Sequence, residues 1–142
     1  MVPMAVKIGD RFEIRHHFET ASSQAFARAA GDCNPLHHDP LVAAQSRFGG
    51  LIASGTQTTA LMMGLTATYF AQVGPTVGMG FSFRFRRPVP MEAHATIAWE
   101  VTGLEPKPGT GTVVTCAGTL TLDATGEVAV SGTSQGVLLQ GR

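Results

Sequence analysis

Regular alternation of apolar and polar residues marks the second half of the chain. In one stretch Phe81, Phe83 and Phe85 alternate with a serine and two arginines, and in another the apolar residues at positions 95, 97, 99 and 101 alternate with a mostly polar set. Alternation with a period of two residues is typical of a β-strand that buries one face. The pattern therefore predicts half-buried strands over residues 81–86 and 94–101.

Three further strands are predicted. Residues 111–122 and 127–138 read as strands joined by Asp-Ala-Thr-Gly, a sequence suited to a hairpin turn, and Pro-Lys-Pro-Gly at residues 106–109 predicts the turn before them. Near the N-terminus, residues 7–18 mix apolar and charged residues after an early turn at Gly9. That mixture predicts a strand at the edge of a sheet.

Helical character lies in the first half. Residues 21–30 are rich in good helix formers, with Thr20 or Ser22 placed to cap the start and Gly31 placed to end the helix. Residues 55–70 begin with small residues and are then apolar almost all round. Such a pattern predicts a helix that is buried on most sides.

Between these helices the chain is rich in turn-forming residues. Residues 31–40 hold a glycine, an asparagine, two aspartates and two prolines, which predicts a loop with polar side chains. A short helical turn is predicted after it, over residues 41–47.

Helices that precede a run of consecutive strands favour an α+β fold with an antiparallel sheet. The simplest arrangement is one long apolar helix wrapped by that sheet. A length of 142 residues, 44% of them hydrophobic, suits one domain with a real core and is short for two. We therefore expect a single α+β domain over residues 1–142.

Charge and composition narrow the function. Ten basic and ten acidic residues give a formal net charge of zero, so we expect neither nucleic acid nor a membrane surface as a partner. The N-terminus lacks the features of a secretory signal, and no run approaches the roughly 20 apolar residues of a membrane span. We expect a soluble, cytoplasmic protein. Cys33 and Cys116 lack CxxC spacing and are expected to be free thiols.

Chemically active side chains are concentrated in residues 32–39, where two acids, an amide and two imidazoles fall within eight positions. Proton transfer requires such proximity, and histidine is the side chain that titrates nearest neutrality. Clustered His and Asp also occur in metal sites, but the spacing of a closed zinc ligand set is missing. We therefore expect an acid/base site without a metal or cofactor.

The stretch from residue 26 to residue 55, FARAAGDCNPLHHDPLVAAQSRFGGLIASG, resembles the hydratase signature of MaoC-like proteins and (R)-specific enoyl-CoA hydratases. The matching residues are Gly31, Asp32, Asn34, Pro35, Leu36, His37, Asp39, Phe48, Ile52, Ala53 and Gly55. A looser likeness extends into the strand half. The resemblance implies the hotdog fold, in which an antiparallel sheet wraps a long helix.

The resemblance also implies a reaction, the reversible addition of water to a trans-2-enoyl thioester. Asp32 and His37 would form the acid/base pair, and the backbone amide of Gly55 at a helix start would stabilise the thioester oxygen. Asn34 and Ser54 would contact the substrate, an acyl-CoA or acyl-carrier thioester that brings its own coenzyme A. A homodimer or higher homo-oligomer is implied as well.

Several alternatives stay open at this point. His38 competes with His37, whereas His16 and His17 are expected at the surface of a strand. Arg84 and Arg86 lie on one strand face and would either bind the phosphates of a coenzyme A or carrier arm or form a solvated surface.

Ser54 is a departure from the family pattern, because many relatives have histidine there. Together with the polar residues that follow Gly55, it points to a short or functionalised acyl group. The alternative functions are a hotdog acyl-CoA thioesterase and a non-catalytic acyl-binding hotdog domain.

Overall fold

The structure, a computed structural model, describes residues 5–140; the predicted domain also includes residues 1–4 and 141–142, which lie outside that range. Within this described range, four helices and five strands follow one another. They are β1 (Arg11–His17), α1 (Thr20–Ala29), α2 (Pro35–His38), α3 (Pro40–Gln45), α4 (Gly55–Ala71), β2 (Thr76–Phe85), β3 (His94–Lys107), β4 (Gly111–Leu122) and β5 (Val128–Leu139).

The five strands form one antiparallel sheet with the order β1-β3-β4-β5-β2. The three central strands are consecutive in sequence, as the hairpin turns predicted. The first strand pairs with β3 and lies at one edge of the sheet, which confirms the predicted edge strand. The other edge is β2, which pairs with β5 alone among the strands of the described chain.

One face of the sheet packs against α4. The buried indole of Trp99 on β3 marks this face, since its Nε1 donates a hydrogen bond to the Met62 carbonyl of the helix at 2.9 Å. Gly118 pairs with Trp99, and a Cβ at Gly118 would lie 2.5 Å from the indole ring. Phe81 and Phe83 lie on the same face, each packing edge-on against the indole. The alternation read from the sequence therefore gives the correct buried face for β3 and for Phe81 and Phe83 of β2, whereas Phe85 at the end of β2 is exposed.

The long helix buries a narrower stripe than its sequence predicted. Its buried residues are Gln57, Thr58, Met62, Thr66 and Phe70. On the other side Met63, Gly64, Ala67 and Thr68 are exposed, and Met63 and Ala67 line an apolar cavity of about 870 Å³ that reaches β2 and β5. The prediction that α4 is buried on most sides is wrong for a single chain, because the sheet covers only one face of it.

Two strands are longer than predicted. The second strand begins at Thr76 rather than residue 81, and its register shifts between Gly78 and Gly80, where the alternation is interrupted. The third strand continues to Lys107 past a second register shift between Val101 and Gly103. A bulge breaks the period of two on which strand prediction depends.

The helix ends also differ from the predictions in two places. Residues 35–38 of the predicted loop form the short helix α2. Neither Thr20 nor Ser22 caps α1; instead the carboxylate of Glu92 accepts hydrogen bonds from the Thr20 N–H and hydroxyl at 2.7 and 2.8 Å. A residue so distant in sequence gives no local signal of capping.

Both cysteines are free thiols, Cys33 exposed and Cys116 buried, as expected. Within residues 5–140 no helix has the length and apolar character needed to cross a membrane.

Candidate active site

The end of α1 places Asp32. The chain leaves the helix through Gly31, whose φ of +80° lies in the left-handed region where glycine is favoured. The Asp32 N–H then donates to the Ala27 carbonyl at 2.8 Å, which ties the residue back onto the helix. The predicted stop at Gly31 is therefore the turn that points the chain toward α2.

The short helix α2 places His37. Asn34 caps this helix by accepting from the Leu36 N–H at 3.1 Å, and Pro35 occupies its first turn. The Asn34 N–H also donates to Asp32 Oδ1 at 3.1 Å. Asn34 thus fixes the local backbone, while substrate contact by its side chain stays a prediction.

Asp32 and His37 meet directly. Asp32 Oδ2 lies 3.2 Å from His37 Nε2, and the imidazole is buried whereas the carboxylate is partly exposed. At its other nitrogen, His37 Nδ1 lies 2.7 Å from the Ile52 carbonyl. A carbonyl only accepts, so Nδ1 carries a proton and Nε2 is the nitrogen available for proton transfer. An ionised Asp32 carboxylate only accepts hydrogen bonds, and so does an unprotonated Nε2. The contact is therefore attractive only when one proton lies between Oδ2 and Nε2.

The N-terminus of α4 completes the site. Ser54 caps the helix by accepting from the Thr56 N–H at 3.1 Å, and its buried hydroxyl donates to Asp32 Oδ2 at 2.5 Å. Gly55 is the first residue of the helix, so its N–H has no partner within the helix. The structure therefore brings together Asp32, His37, Ser54 and Gly55, four of the residues selected from the sequence.

Hydrogen bonding controls the charge of Asp32. The Ser54 hydroxyl is the largest influence and lowers the pKa of the Asp32 carboxyl; partial burial acts in the opposite direction. The Asn34 N–H and the two neighbouring imidazoles, His37 and His38, lower that pKa further. The net effect is a lowered pKa, so Asp32 is an ionised acceptor at neutral pH.

The neighbouring imidazole has a different position from that of His37. His38 Nε2 donates to the backbone carbonyl of Asp32 at 2.9 Å, and its buried Nδ1 has no partner within residues 5–140. Its ring therefore supports the Asp32 backbone, while His37 contacts the carboxylate. The sequence makes His38 a rival to His37 and does not predict this support, because neither the contact of His38 nor the role of the Ile52 carbonyl has a signal in the sequence.

Arg84 and Arg86 are not part of this cluster. They project from the sheet face opposite α4, because the alternating residues Phe83 and Phe85 occupy the face toward the helix. On that opposite face, Arg86 Nε donates to Ser131 Oγ at 2.9 Å. Both side chains are exposed. Phosphate binding by these arginines stays a prediction.

The strand histidines are less exposed than predicted. His16 is half-buried against Phe18, and burial lowers the pKa of its imidazole. His17 is half-buried as well and lies 3.1 Å from Glu92 Oε1. Nowhere in residues 5–140 are three or more His, Cys, Asp or Glu side chains grouped so that they could hold a metal ion.

Comparison with known sequences identifies relatives of this chain. The profile of the MaoC like domain family matches residues 5–122. Over 109 residues, 76% of this chain and 81% of the relative, the sequence is 33% identical to an (R)-specific enoyl-CoA hydratase of Aeromonas caviae.

Solved structures give the same result for the fold. An (R)-hydratase from A. caviae involved in PHA biosynthesis has a TM-score of 0.83 at 27% identity, over 94% of this chain and 98% of that one. An R-hydratase of Pseudomonas aeruginosa has a TM-score of 0.76 at 28% identity, over 96% and 84% of the two chains. A MaoC-like dehydratase of Rhodospirillum rubrum has a TM-score of 0.79 at 29% identity, over 96% and 95%. These likenesses confirm the predicted α+β hotdog fold.

Proposed function

The chain belongs to the MaoC-like domain family, and we propose that it is an (R)-specific enoyl-CoA hydratase, which adds water reversibly to a trans-2-enoyl thioester. The observation that supports this most directly is the contact of Asp32 Oδ2 with His37 Nε2 at 3.2 Å, beside the Gly55 N–H, which has no partner within its own helix. An acid, a base and a backbone donor lie within one small region. Addition of water to a conjugated thioester requires these three groups.

In the hydration direction Asp32 is the base. Its ionised carboxylate takes a proton from a water molecule while the water oxygen forms a bond to the β-carbon of the substrate. The π-electron pair moves toward the α-carbon and the thioester oxygen. Because the carboxylate is already held in place, little reorganisation is needed during the step.

His37 supplies the second proton. The proton on Nε2 passes to the α-carbon, which forms the C–H bond and leaves the imidazole neutral with its remaining proton on Nδ1, directed at Ile52. The proton that Asp32 gained then crosses the 3.2 Å contact to Nε2. One water has been added and the pair has returned to its starting state. Dehydration follows the same steps in reverse.

The Gly55 N–H stabilises the charge that develops on the thioester oxygen. As the first N–H of a 17-residue helix, it lies at the positive end of the helix dipole. Removal of a single donor of this kind typically reduces kcat by about 10²–10³. Coenzyme A enters as part of the substrate, and the chain's own residues supply the proton transfers.

The partner in the assembly is proposed to be a second copy of the chain, joined at β2. This edge strand exposes Val77 by 51% and Met79 by 59%, and the open face of α4 with its apolar cavity lies beside it. An exposed strand edge next to an apolar surface favours association by strand pairing. Light scattering should therefore show a dimer that Met79→Glu dissociates, whereas Leu41→Glu, at an even more exposed residue of α3, should leave it intact.

Hydratase activity is tested with a chain-length series of trans-2-enoyl-CoAs. Turnover removes the ultraviolet absorbance of the conjugated thioester, and chiral analysis of the product identifies the (R)-3-hydroxyacyl form. Asp32→Asn and His37→Ala should each reduce kcat/KM by about a hundredfold or more. His94→Ala, at an exposed histidine of β3, is the matched control and should retain activity.

The same experiment separates the alternative functions. Release of free thiol from saturated acyl-CoA would identify a thioesterase, and acyl-CoA binding without turnover would identify a non-catalytic domain. Undiminished hydration by both Asp32→Asn and His37→Ala would show that this pair is not the catalytic one.

A further inference from the structure

The hydroxyl groups beside Asp32 form a chain with a defined direction. Ser54 Oγ lies 2.5 Å from Asp32 Oδ2 and 2.6 Å from Thr56 Oγ1, and it also accepts from the Thr56 N–H. A serine hydroxyl has one proton, and an ionised carboxylate only accepts. The Ser54 proton therefore points to Asp32, and the Thr56 hydroxyl must donate to Ser54.

We propose that Ser54 and Thr56 are positioning residues, a two-hydroxyl chain that fixes Asp32 Oδ2 and holds this carboxylate in its ionised form for the reaction. The proposal rests on the hydratase function for its catalytic meaning. Ser54 is fully buried while Thr56 is exposed, so the chain runs from the helix surface to the catalytic oxygen. Each hydroxyl that donates is polarised by the next, which strengthens the bond to the carboxylate.

The geometry engages the Ser54 hydroxyl with Asp32 rather than with a substrate. Its single proton and its acceptor sites are engaged by Asp32 and Thr56, which leaves its oxygen little capacity to bind an acyl group. The polar start of α4 likewise acquires a role toward Asp32, because Thr56 supplies both an N–H and an O–H to the Ser54 oxygen. Ser54 therefore caps the helix and anchors the catalytic carboxylate with one atom.

Other groups around Asp32 also favour its charged form. The titratable side chains that act on it are His37, at 3.2 Å from Oδ2, and His38, whose ring bonds to the Asp32 backbone carbonyl. The Asn34 N–H bonds to Oδ1, the opposite carboxylate oxygen. Only Ser54 and His37 share Oδ2, so loss of the Ser54 hydroxyl would leave His37 as the sole partner of that oxygen among the described residues.

The first test follows Asp32 itself by carbon-detected NMR titration of its side-chain carboxyl, which requires no turnover. In Ser54→Ala the pKa of Asp32 should rise, and in Thr56→Val it should rise by less. Ser54→Thr keeps the hydroxyl and should restore a value near that of the wild type. Thr68→Val, at an exposed threonine of the same helix, is the matched control and should leave the titration unchanged.

The second test is the pH dependence of enoyl-CoA hydration by the same variants. Ser54→Ala should reduce kcat on the order of tenfold, with a smaller change in KM, and should move the acid limb of the kcat profile to higher pH. If Ser54 acted only as a helix cap, its replacement by alanine would lower the melting temperature without moving the acid limb of the kcat profile.

The possible results separate this inference from the proposed function. If Asp32 titrates identically in Ser54→Ala and the wild type, the hydroxyl chain does not act on Asp32 and the inference is overturned. If the wild type hydrates no enoyl-CoA, the hydratase function fails, while the NMR titration still decides whether the chain acts on Asp32. A rise in the pKa of Asp32 together with a shifted acid limb supports both.

Discussion

The ring of Phe85 lies directly against the backbone of Gly55. A Cβ built on Gly55 would be 2.9 Å from Cε1 and 3.0 Å from Cζ of that ring. The end of β2 thus presses on the first residue of α4, next to the backbone donor proposed for the thioester oxygen. A side chain at position 55 would displace either the ring or the helix start.

Gly55→Ala should therefore affect catalysis more than folding. Because Phe85 is 63% exposed, its ring can give way in part while the rest of the overlap shifts the helix start, so we expect a melting temperature within a few degrees of the wild type. A displaced N–H should reduce kcat by about tenfold to a hundredfold. Gly50→Ala is the control, since a Cβ at Gly50 meets no atom within 4 Å. Equal kcat values for wild type and Gly55→Ala would remove the Gly55 amide from the mechanism.

His38 offers a test of how the Asp32 backbone is held. His38→Phe removes the donor that contacts the Asp32 carbonyl, whereas His38→Gln retains an N–H at a similar reach. We expect His38→Phe to lose kcat by about tenfold, consistent with one buried hydrogen bond, and His38→Gln to recover most of it. Steady-state kinetics on both variants measure the effect. If both variants lost activity equally, the hydrogen bond would not be the reason for the loss.

The Glu92 carboxylate should make stability depend on pH. Its hydrogen bonds from the N–H and hydroxyl of Thr20 lower its pKa in the folded chain, with His17 adding to the effect. A lowered folded-state pKa means that the stabilisation is present above the ordinary glutamate pKa and is lost as pH falls through the lowered value. The melting temperature of Glu92→Gln should thus lie below that of the wild type at neutral pH, and the two should converge in acid.

Glu105→Gln is the control for Glu92→Gln, because the ion pair of Glu105 with Lys107 is exposed on the β3 hairpin. Its melting temperature should follow the wild type across the same pH range. A Glu92→Gln deficit that persisted undiminished at low pH would indicate a cause other than carboxylate charge.

The effects of substitutions at Trp99 and Gly118 on the free energy of unfolding should be coupled. A methyl group at Gly118 would lie 2.5 Å from two carbons of the buried indole, so Gly118→Ala should destabilise the fold by about 1–3 kcal/mol through overpacking. Trp99→Leu reduces the bulk at that contact, and the double variant should be more stable than the sum of the two single effects predicts. Ala117→Ser, on the exposed face, is the control. Urea unfolding of the wild type, the two single variants and the double variant gives the coupling energy. Strictly additive effects would contradict the proposed contact.

The sequence predicted most of the sheet because its central strands follow local rules. The apolar set that includes Trp99 and Val101 faces the core, and β4 has the predicted bounds of Gly111–Leu122. The start of β2 was missed because Gly78 and Gly80 carry no side chains with which to show alternation. The open face of α4 was missed because an apolar surface looks the same in sequence whether the chain itself or another molecule covers it.

The candidate site was predicted less completely. Asp32, His37 and Gly55 were identified through a family resemblance, and the structure brings them together with Ser54. The sequence could not show that the Ser54 hydroxyl reaches Asp32, since the two lie 22 positions apart. The same limit applies to Glu92 at the start of α1, 72 positions from Thr20. Contacts of this kind depend on tertiary packing and have no local pattern.

The order of the strands has a consequence for how the site forms during folding. β3, β4 and β5 are joined by short hairpins, whereas β1 reaches β3 only across most of the chain, with Arg11 opposite Glu100. Closing so long a loop is entropically unfavourable until other contacts exist, so we expect the central meander to form first and β1 to dock late. Asp32 and Ser54 both lie within that late-closing loop. The chain should therefore acquire a sheet before it acquires a catalytic pair, and refolding followed by activity should lag behind refolding followed by strand content.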